Sequence, residues 1–360
     1  MTIVTDPAIE QALAPDYTMQ VAETPLPPQT PPARWSAPTR VAFRFFVIYA
    51  SIYVLLTQMF YGLFGPVLGL LPFTVTPPGS AWSVRTAVTW TANSVLGLPA
   101  PLVIERSGSG DKPYDFAFAA LLLVVSALLT IAWSVAARRR LAHPGVQKWF
   151  RLFLRFAVGS TMLGYGMAKF FPLQMSFPSL SRMLTPYGSF SHMGVLWSKI
   201  GASPAYEIFT GAVEITCAIL LFIPGLTTVG AFLTFITATQ IFSLNMMYDV
   251  PVKLFSFHLI VMSLVLLAPD MRRLFRVMVL RRGVDDAPEP PLARRVLLRR
   301  GLVVAQIAFG AWLFVNQYQG SAEGWTSYGA GAPKPPLYGI WQIDRMEIDG
   351  GEPAPLVTHY

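Results

Sequence analysis

Seven residues between positions 169 and 258 carry the side chains with which this chain can do chemistry: Lys169, Glu214, Gln240, Asn245, Asp249, Lys253 and His258. All lie within or at the edges of strongly apolar runs. An ionisable group in hydrocarbon is costly unless it is paired or wet, so each is a functional candidate by default. Their positions set their depths, because a helix rises about 1.5 Å per residue. Glu214 lies eight residues into a run that starts near Tyr206, roughly 12 Å from its end. Gln240 lies about 9 Å from the end of the next run near Met246, and His258 roughly 12 Å into a third that starts near Asp249. In antiparallel neighbouring helices the three form one layer, with Lys169, Asn245, Asp249 and Lys253 above it. Acid, base and amide groups then line a polar pocket open at one end.

Two readings follow. In one, the pocket takes a small ligand, a proton or a quinone-like headgroup, and Glu214 and His258 exchange a proton. In the other, the groups are a structural network in which Lys169 or Lys253 pairs with Glu214 or Asp249 and locks helices together. Cys217 is the one cysteine, so no disulfide forms within the chain, and a lone membrane cysteine reads as a small apolar filler. His143, His192 and His359 have no partner at metal-ligand spacing, so no metal is expected.

The elements that must position these residues are apolar helices. Hydrophobic residues make up 53% of the 360 and charged residues 13%, against about 25% charged in soluble domains, and the mean hydropathy is +0.49. Runs long enough to cross about 30 Å of hydrocarbon occupy residues 41–64, 115–136, 149–171, 206–225, 227–246, 251–268 and 301–317, the last being the shortest. The expectation is an all-α polytopic membrane protein with about seven transmembrane helices. Pro224-Gly225 and Asp249-Val250-Pro251 read as tight turns, with Asp249 as a natural N-cap and Pro251 in the first turn of span six. Gly159, Ser160, Gly164, Gly166 and Ala168 allow close backbone approach and place the third span at the centre of the bundle.

Residues 1–40 are polar and proline-rich, and read as a disordered cytoplasmic tail. No basic n-region stands at Met1, so this is not a signal peptide. With that tail inside, the inner segments hold three basic residues before or early in the first span, six over 138–155 and nine over 272–300, eighteen of the 27. That asymmetry orients the chain with its N-terminus in the cytoplasm and its C-terminus outside, in a bacterial-type inner membrane. The charge of +8 is thereby an orientation signal rather than a nucleic-acid footprint.

The chain thus divides into the tail 1–40, two helices with a long outer loop over 41–136, a four-helix core over 148–270, a basic cytoplasmic loop over 271–300, a last helix over 301–317 and an extracytoplasmic tail over 318–360. Met193, Leu196, Trp197 and Ile200 recur at helical spacing, which suits a short helix lying in the outer interface or packed on the bundle. Residues 340–348 followed by Asp349-Gly350-Gly351 read as a strand and a turn. A lone strand is unstable, so this β-containing tail packs on the outer loops or belongs to a larger domain. No inverted repeat and no helix broken within a span is evident, which argues against a transporter.

Residues 148–270 resemble the DoxX-like family of four-helix membrane proteins. The resemblance rests on Gly-Tyr-Gly-Met-Ala-Lys-Phe-Phe-Pro (164–172), Leu-Trp-Ser-Lys-Ile-Gly-Ala-Ser-Pro-Ala-Tyr (196–206), Phe-Thr-Gly-Ala-Val-Glu (209–214) and Asn-Met-Met-Tyr-Asp-Val-Pro-Val-Lys (245–253). Leu-Tyr-Gly-Ile-Trp-Gln-Ile-Asp (337–344) is similar to the outer tail of longer relatives, which continue past this point. The family takes its name from subunits of a quinone-linked thiosulfate oxidoreductase. The resemblance therefore implies a fold and a link to quinone redox, not a reaction, and puts Lys169, Glu214, Asn245, Asp249 and Lys253 on family-like motifs. The core is also similar to quinone-reducing thiol oxidases, but those need paired cysteines. Besides the bilayer, the partner expected is a protein, in the membrane or outside it, docked through the outer loops and tail. In the competing scaffold reading that docking is the whole function.

Overall fold

The computed structural model describes residues 35–99, 102, 111–284 and 291–342, and no strand occurs among them. In chain order the helices are α1 (Ala37–Leu56), α2 (Met59–Leu68), α3 (Trp82–Trp90, running into a π-helical turn at Thr91–Val95), α4 (Pro113–Ala136), α5 (Pro144–Phe170), α6 (Leu180–Leu184), α7 (His192–Gly201), α8 (Pro204–Phe222), α9 (Thr227–Met247), α10 (Lys253–Leu267), α11 (Met271–Met278) and α12 (Val296–Ser327).

Local chemistry explains where several begin. Proline occupies the first helical position of α4, α5 and α8, where its missing N–H is no loss and its fixed φ is already helical. Ser36 caps α1 by accepting from the Thr39 N–H, and Asp115 reaches back to the Lys112 N–H at the start of α4. Gly225 turns the chain between α8 and α9 at φ +89°, in the left-handed region that favours glycine.

Five helices, α1, α4, α8, α9 and α12, are long and apolar enough to cross a membrane. α10 and α11 count as a sixth crossing only if the 84° bend between them lies within one broken span. α5 has 27 residues but is less apolar, because it carries Lys148, Arg151, Arg155, Lys169 and a series of glycines. It is nonetheless the central helix: residues 154–163 are buried without interruption, and α1, α2, α8, α10 and α12 all pack on it. A helix enclosed by protein needs small residues more than greasy ones. α5, α8, α9 and α10 close a ring, each packing on the next and α10 returning to α5, while α1 pairs with α4 outside it.

Several expectations are corrected. The run 41–64 is not one helix: the chain breaks at Thr57 and Gln58, between α1 and α2, where the turn at Pro78–Ser80 crosses and Gly79 lies against the Leu56 backbone. Hydropathy does not register such a backbone break. Helix α1 begins at Ala37, inside the segment expected to be disordered; residues 1–34 lie outside the described residues. The run 301–317 is not the shortest helix, since α12 spans 32 residues and continues to Ser327. The basic segment 271–300 includes a helix, α11. For helix α7 the packed alternative of the two expected is the one seen: Leu196 and Ile200 pack with Met175 and Val250. Of the strand expected over 340–348, residues 340–342 are irregular and the rest lie outside the described residues.

Candidate functional site

The polar residues singled out above divide into neighbouring groups at the end of the bundle where α5 finishes and α8 begins. Lys169 Nζ donates to both carboxylate oxygens of Glu214, at 2.7 and 2.8 Å, with side chains 8% and 3% exposed. Gly166 and Gly211 make this contact reachable. A Cβ on Gly211 would stand 2.6 Å from the Gly166 carbonyl oxygen and the Phe170 N, so α5 and α8 approach as closely as backbones can.

Glu207 was not anticipated from the sequence. It is 0% exposed, Oε1 accepts from the Met175 N–H at 2.8 Å, and Oε2 has no hydrogen-bond partner among the described residues. Beside Met175, Gln174 Oε1 is likewise buried without a partner. The Lys169 charge acts on both Glu207 and Glu214. The signal was legible in the spacing: Glu207, Gly211 and Glu214 stand at i, i+4 and i+7, one face of a helix.

His258 belongs to a separate cluster with α1. Its Nδ1 lies 2.7 Å from the Leu254 carbonyl, which only accepts, so Nδ1 carries the proton and Nε2 accepts from the Tyr49 hydroxyl at 2.6 Å. Tyr53 stacks on the imidazole with centroids 3.9 Å apart. Phe45, Tyr49 and Tyr53, spaced by four, stack in turn along α1. His258 therefore has no direct contact with Glu214. Asn245 donates to Ser256 Oγ at 3.0 Å and ties α9 to α10.

Gln240 is not in the layer but on the exposed side of α9. The buried face of α9 runs through Ala231, Thr234, Ala238 and Asn245, and two residues beyond Ala238 is about 200° around the axis. Asp249 and Pro251 do not start α10 either. Asp249 sits in the turn at φ +51°, and the helix begins at Lys253, whose N–H and that of Leu254 both donate at 2.9 Å to the carboxylate of Asp111. An acid 142 residues away thus serves as the cap. Lys253 Nζ also reaches Asp249 Oδ1 at 2.7 Å, a hydrogen bond and charge that hold Asp249 below the usual carboxylate range.

The opposite end of the bundle is basic, and some of its cations are buried structural groups. Arg155 donates to the Leu221 and Phe222 carbonyls at 2.8 and 3.2 Å, satisfying the C-terminal end of α8. Arg44 donates to Ser134, to the Ala137 carbonyl and to His143 Nε2. Burial, followed by the charges of Arg44, Arg140 and Arg40, pushes the His143 imidazole below its ordinary value. Because the folded state takes up this proton less readily than the unfolded chain, the stability from neutral His143 is complete above about pH 6.5 and is lost as the pH falls through the folded value. Thermal midpoints of the solubilised protein should therefore fall between about pH 7.5 and pH 5. His143→Gln should flatten that fall, and an unchanged slope would assign the acid sensitivity elsewhere.

Apolar helices long enough to cross a bilayer, enclosing ion pairs and aromatic hydrogen bonds, define a multi-pass helical membrane protein. No family model matches the chain, and no solved structure matches it. Over 135 residues, 38% of this chain, it is 31% identical to the uncharacterized protein YwoB of Bacillus subtilis (strain 168), and the match covers 83% of that protein. The chain belongs to the family that includes YwoB.

Proposed function

We propose that this is a DoxX-like membrane protein that holds a small or lipophilic ligand at the polar end of its bundle. The reading takes α1 with α2, α4, α5, α8, α9, α10 and α12 as seven crossings in a bacterial inner membrane. The N-terminus and the basic end then lie in the cytoplasm, and the polar end and the C-terminus face outward. The basic residues favour this orientation, and the closed ring of α5, α8, α9 and α10 suits a DoxX-like four-helix core. A protein docked at the outer end, as part of a quinone-linked system, fits the same reading.

The observation that carries the ligand reading is Glu207. A buried carboxylate oxygen without a donor is costly, and Gln174 Oε1, on the residue before the Met175 N–H that donates to Glu207, repeats the deficit among the described residues. Each is an acceptor that a donated ligand hydroxyl would meet. Glu207 and Gln174 are then the residues that would hold the hydroxyl of a quinol or another phenolic ligand, and a quinone would supply two-electron redox chemistry there. Glu207 is the proton acceptor in this arrangement. Lys169, bound to both oxygens of Glu214, already satisfies the second carboxylate nearby.

The scaffold reading has its own support: Lys169 and Glu214, Asn245 and Ser256, and His258 and Tyr49 satisfy one another within the protein. Mass spectrometry of small molecules co-purified from native membranes separates the two. The ligand reading expects a bound lipophilic molecule in the wild type and about tenfold lower occupancy in Glu207→Gln, with the thermal midpoint retained. A wild-type protein that carries no such molecule would favour the scaffold.

A further inference from the structure

Helices α1 and α3 both pack on α4, and the turn at Pro78–Ser80 touches α1 and α3. Between the three helices lies an apolar slot of about 230 Å³. Its wall on α4 is Phe118, Leu121, Leu122 and Val125, at i, i+3, i+4 and i+7, one stripe of a helix. Ile52 and Leu56 face it from α1, and Val84, Ala87 and Val88 from α3, with Ser83 the one polar side chain among its described walls. Ser83 and Ala87 are exposed and form the rim.

The depth and direction of the slot identify the medium around it. Phe118 and Val125 stand five and twelve residues into α4, so the slot extends from roughly 8 to 18 Å below the start of that helix. Helix α4 has 24 residues, roughly 36 Å against about 30 Å of hydrocarbon. The slot therefore lies in hydrocarbon and runs along the crossing helices, the direction of acyl chains. Its upper end is at Leu56, where Gly79 packs on the backbone.

Helix α3 has two unlike sides. Val88 and Ala92 are fully buried with Ala117, and Val84 packs with them, while Trp82 and Trp90 turn away, 80% and 62% exposed. Tryptophans at the end of a crossing helix belong to the aromatic belt of the membrane interface. Below them the exposed surface of α4 continues through Val124, Leu128 and Ile131, so the slot is continuous with the lipid-facing side of the protein. Sites for drug-sized molecules begin at about 300 Å³; a smaller slot without charge suits one hydrocarbon chain.

We infer that this slot binds one acyl chain of a membrane phospholipid, which enters from the bilayer beneath α3 and leaves its headgroup at the level of Trp82 and Trp90. The walls carry nothing that discriminates headgroups, so the chain is what is recognised. The site is independent of any ligand held at Glu207.

The test is native mass spectrometry of the delipidated full-length protein in detergent, titrated with phosphatidylglycerol, phosphatidylcholine or single-chain lysophosphatidylcholine, all with oleoyl chains. Each should bind with equal affinity. Ala87→Leu enlarges a wall residue and should weaken all three roughly tenfold, the equivalent of about two displaced methylenes. Ser83→Leu, at the rim, should act in the same direction, and Val124→Leu, on the exposed side of α4, should change nothing; thermal midpoints confirm that each variant is folded. Unchanged binding in both slot variants, or an equal loss in Val124→Leu, would overturn the site. A preference for phosphatidylglycerol over phosphatidylcholine would overturn recognition of the chain in favour of the headgroup. A wild-type protein that takes up no lipid would overturn the site and leave the slot to a protein helix.

Discussion

Glu214→Gln should destabilise the solubilised protein by about 3 to 5 kcal/mol, and Lys169→Met by a similar amount, because each leaves a buried charge without its partner. The double variant should recover most of the loss, since a neutral pair of similar shape has no desolvation to offset. The partner to neutralise is Lys169. Lys253, which the sequence also offered, is engaged with Asp111 and Asp249 instead. If the pair only holds α5 to α8, the double variant should also recover its phenotype in cells. If the pair sets the charge of a working site, stability should return while the phenotype stays lost. Equal, uncorrected losses in both singles and the double would show that the pair is not the unit of stability.

Gly211→Ala should cost about 1 to 3 kcal/mol by overpacking. The new methyl would lie 2.6 Å from the Gly166 carbonyl oxygen and the Phe170 N and 3.0 Å from the Lys169 carbonyl carbon. Those are backbone atoms that cannot swing away, so the two helices must separate, which also strains the ion pair next to them. Gly301→Ala supplies the contrast: this glycine lies inside α12 with nothing within 4 Å of its Cβ position, so alanine should gain up to about 1 kcal/mol from helix propensity. Thermal denaturation of both variants reads the difference directly. A neutral Gly211→Ala would mean that the crossing of α5 and α8 is looser than the contact at Gly166 requires.

The apolar runs made the helices and the tight links legible, because length and hydropathy are local properties. What escaped depended on distant partners or on the direction a side chain faces. Asp111 caps α10 across 142 residues, and no local pattern announces it. Tyr49 and Tyr53 read as ordinary aromatics of an apolar run until His258 is set against them. Arg44 and Arg155 counted correctly toward the basic end but are buried helix caps, a role that charge counting does not resolve. Gln240 shared the depth of Glu214 along the axis but not its side of the bundle, and depth alone had grouped them. Helix α12 outran its hydropathy because Gln317, Gln319 and Glu323 weaken the apolar signal without ending the helix.

The proposed ligand site depends on which end of the bundle faces out, and the orientation can be read with one reagent. Cys217 is the single native cysteine and is fully buried, so a membrane-impermeant maleimide has little background. Lys199→Cys, exposed on α7, should be labelled in intact cells. Arg282→Cys, exposed beyond α11, should be labelled only after the cells are permeabilised. Labelling of Arg282→Cys in intact cells, with Lys199→Cys protected, would invert the molecule and contradict the outward-facing ligand site.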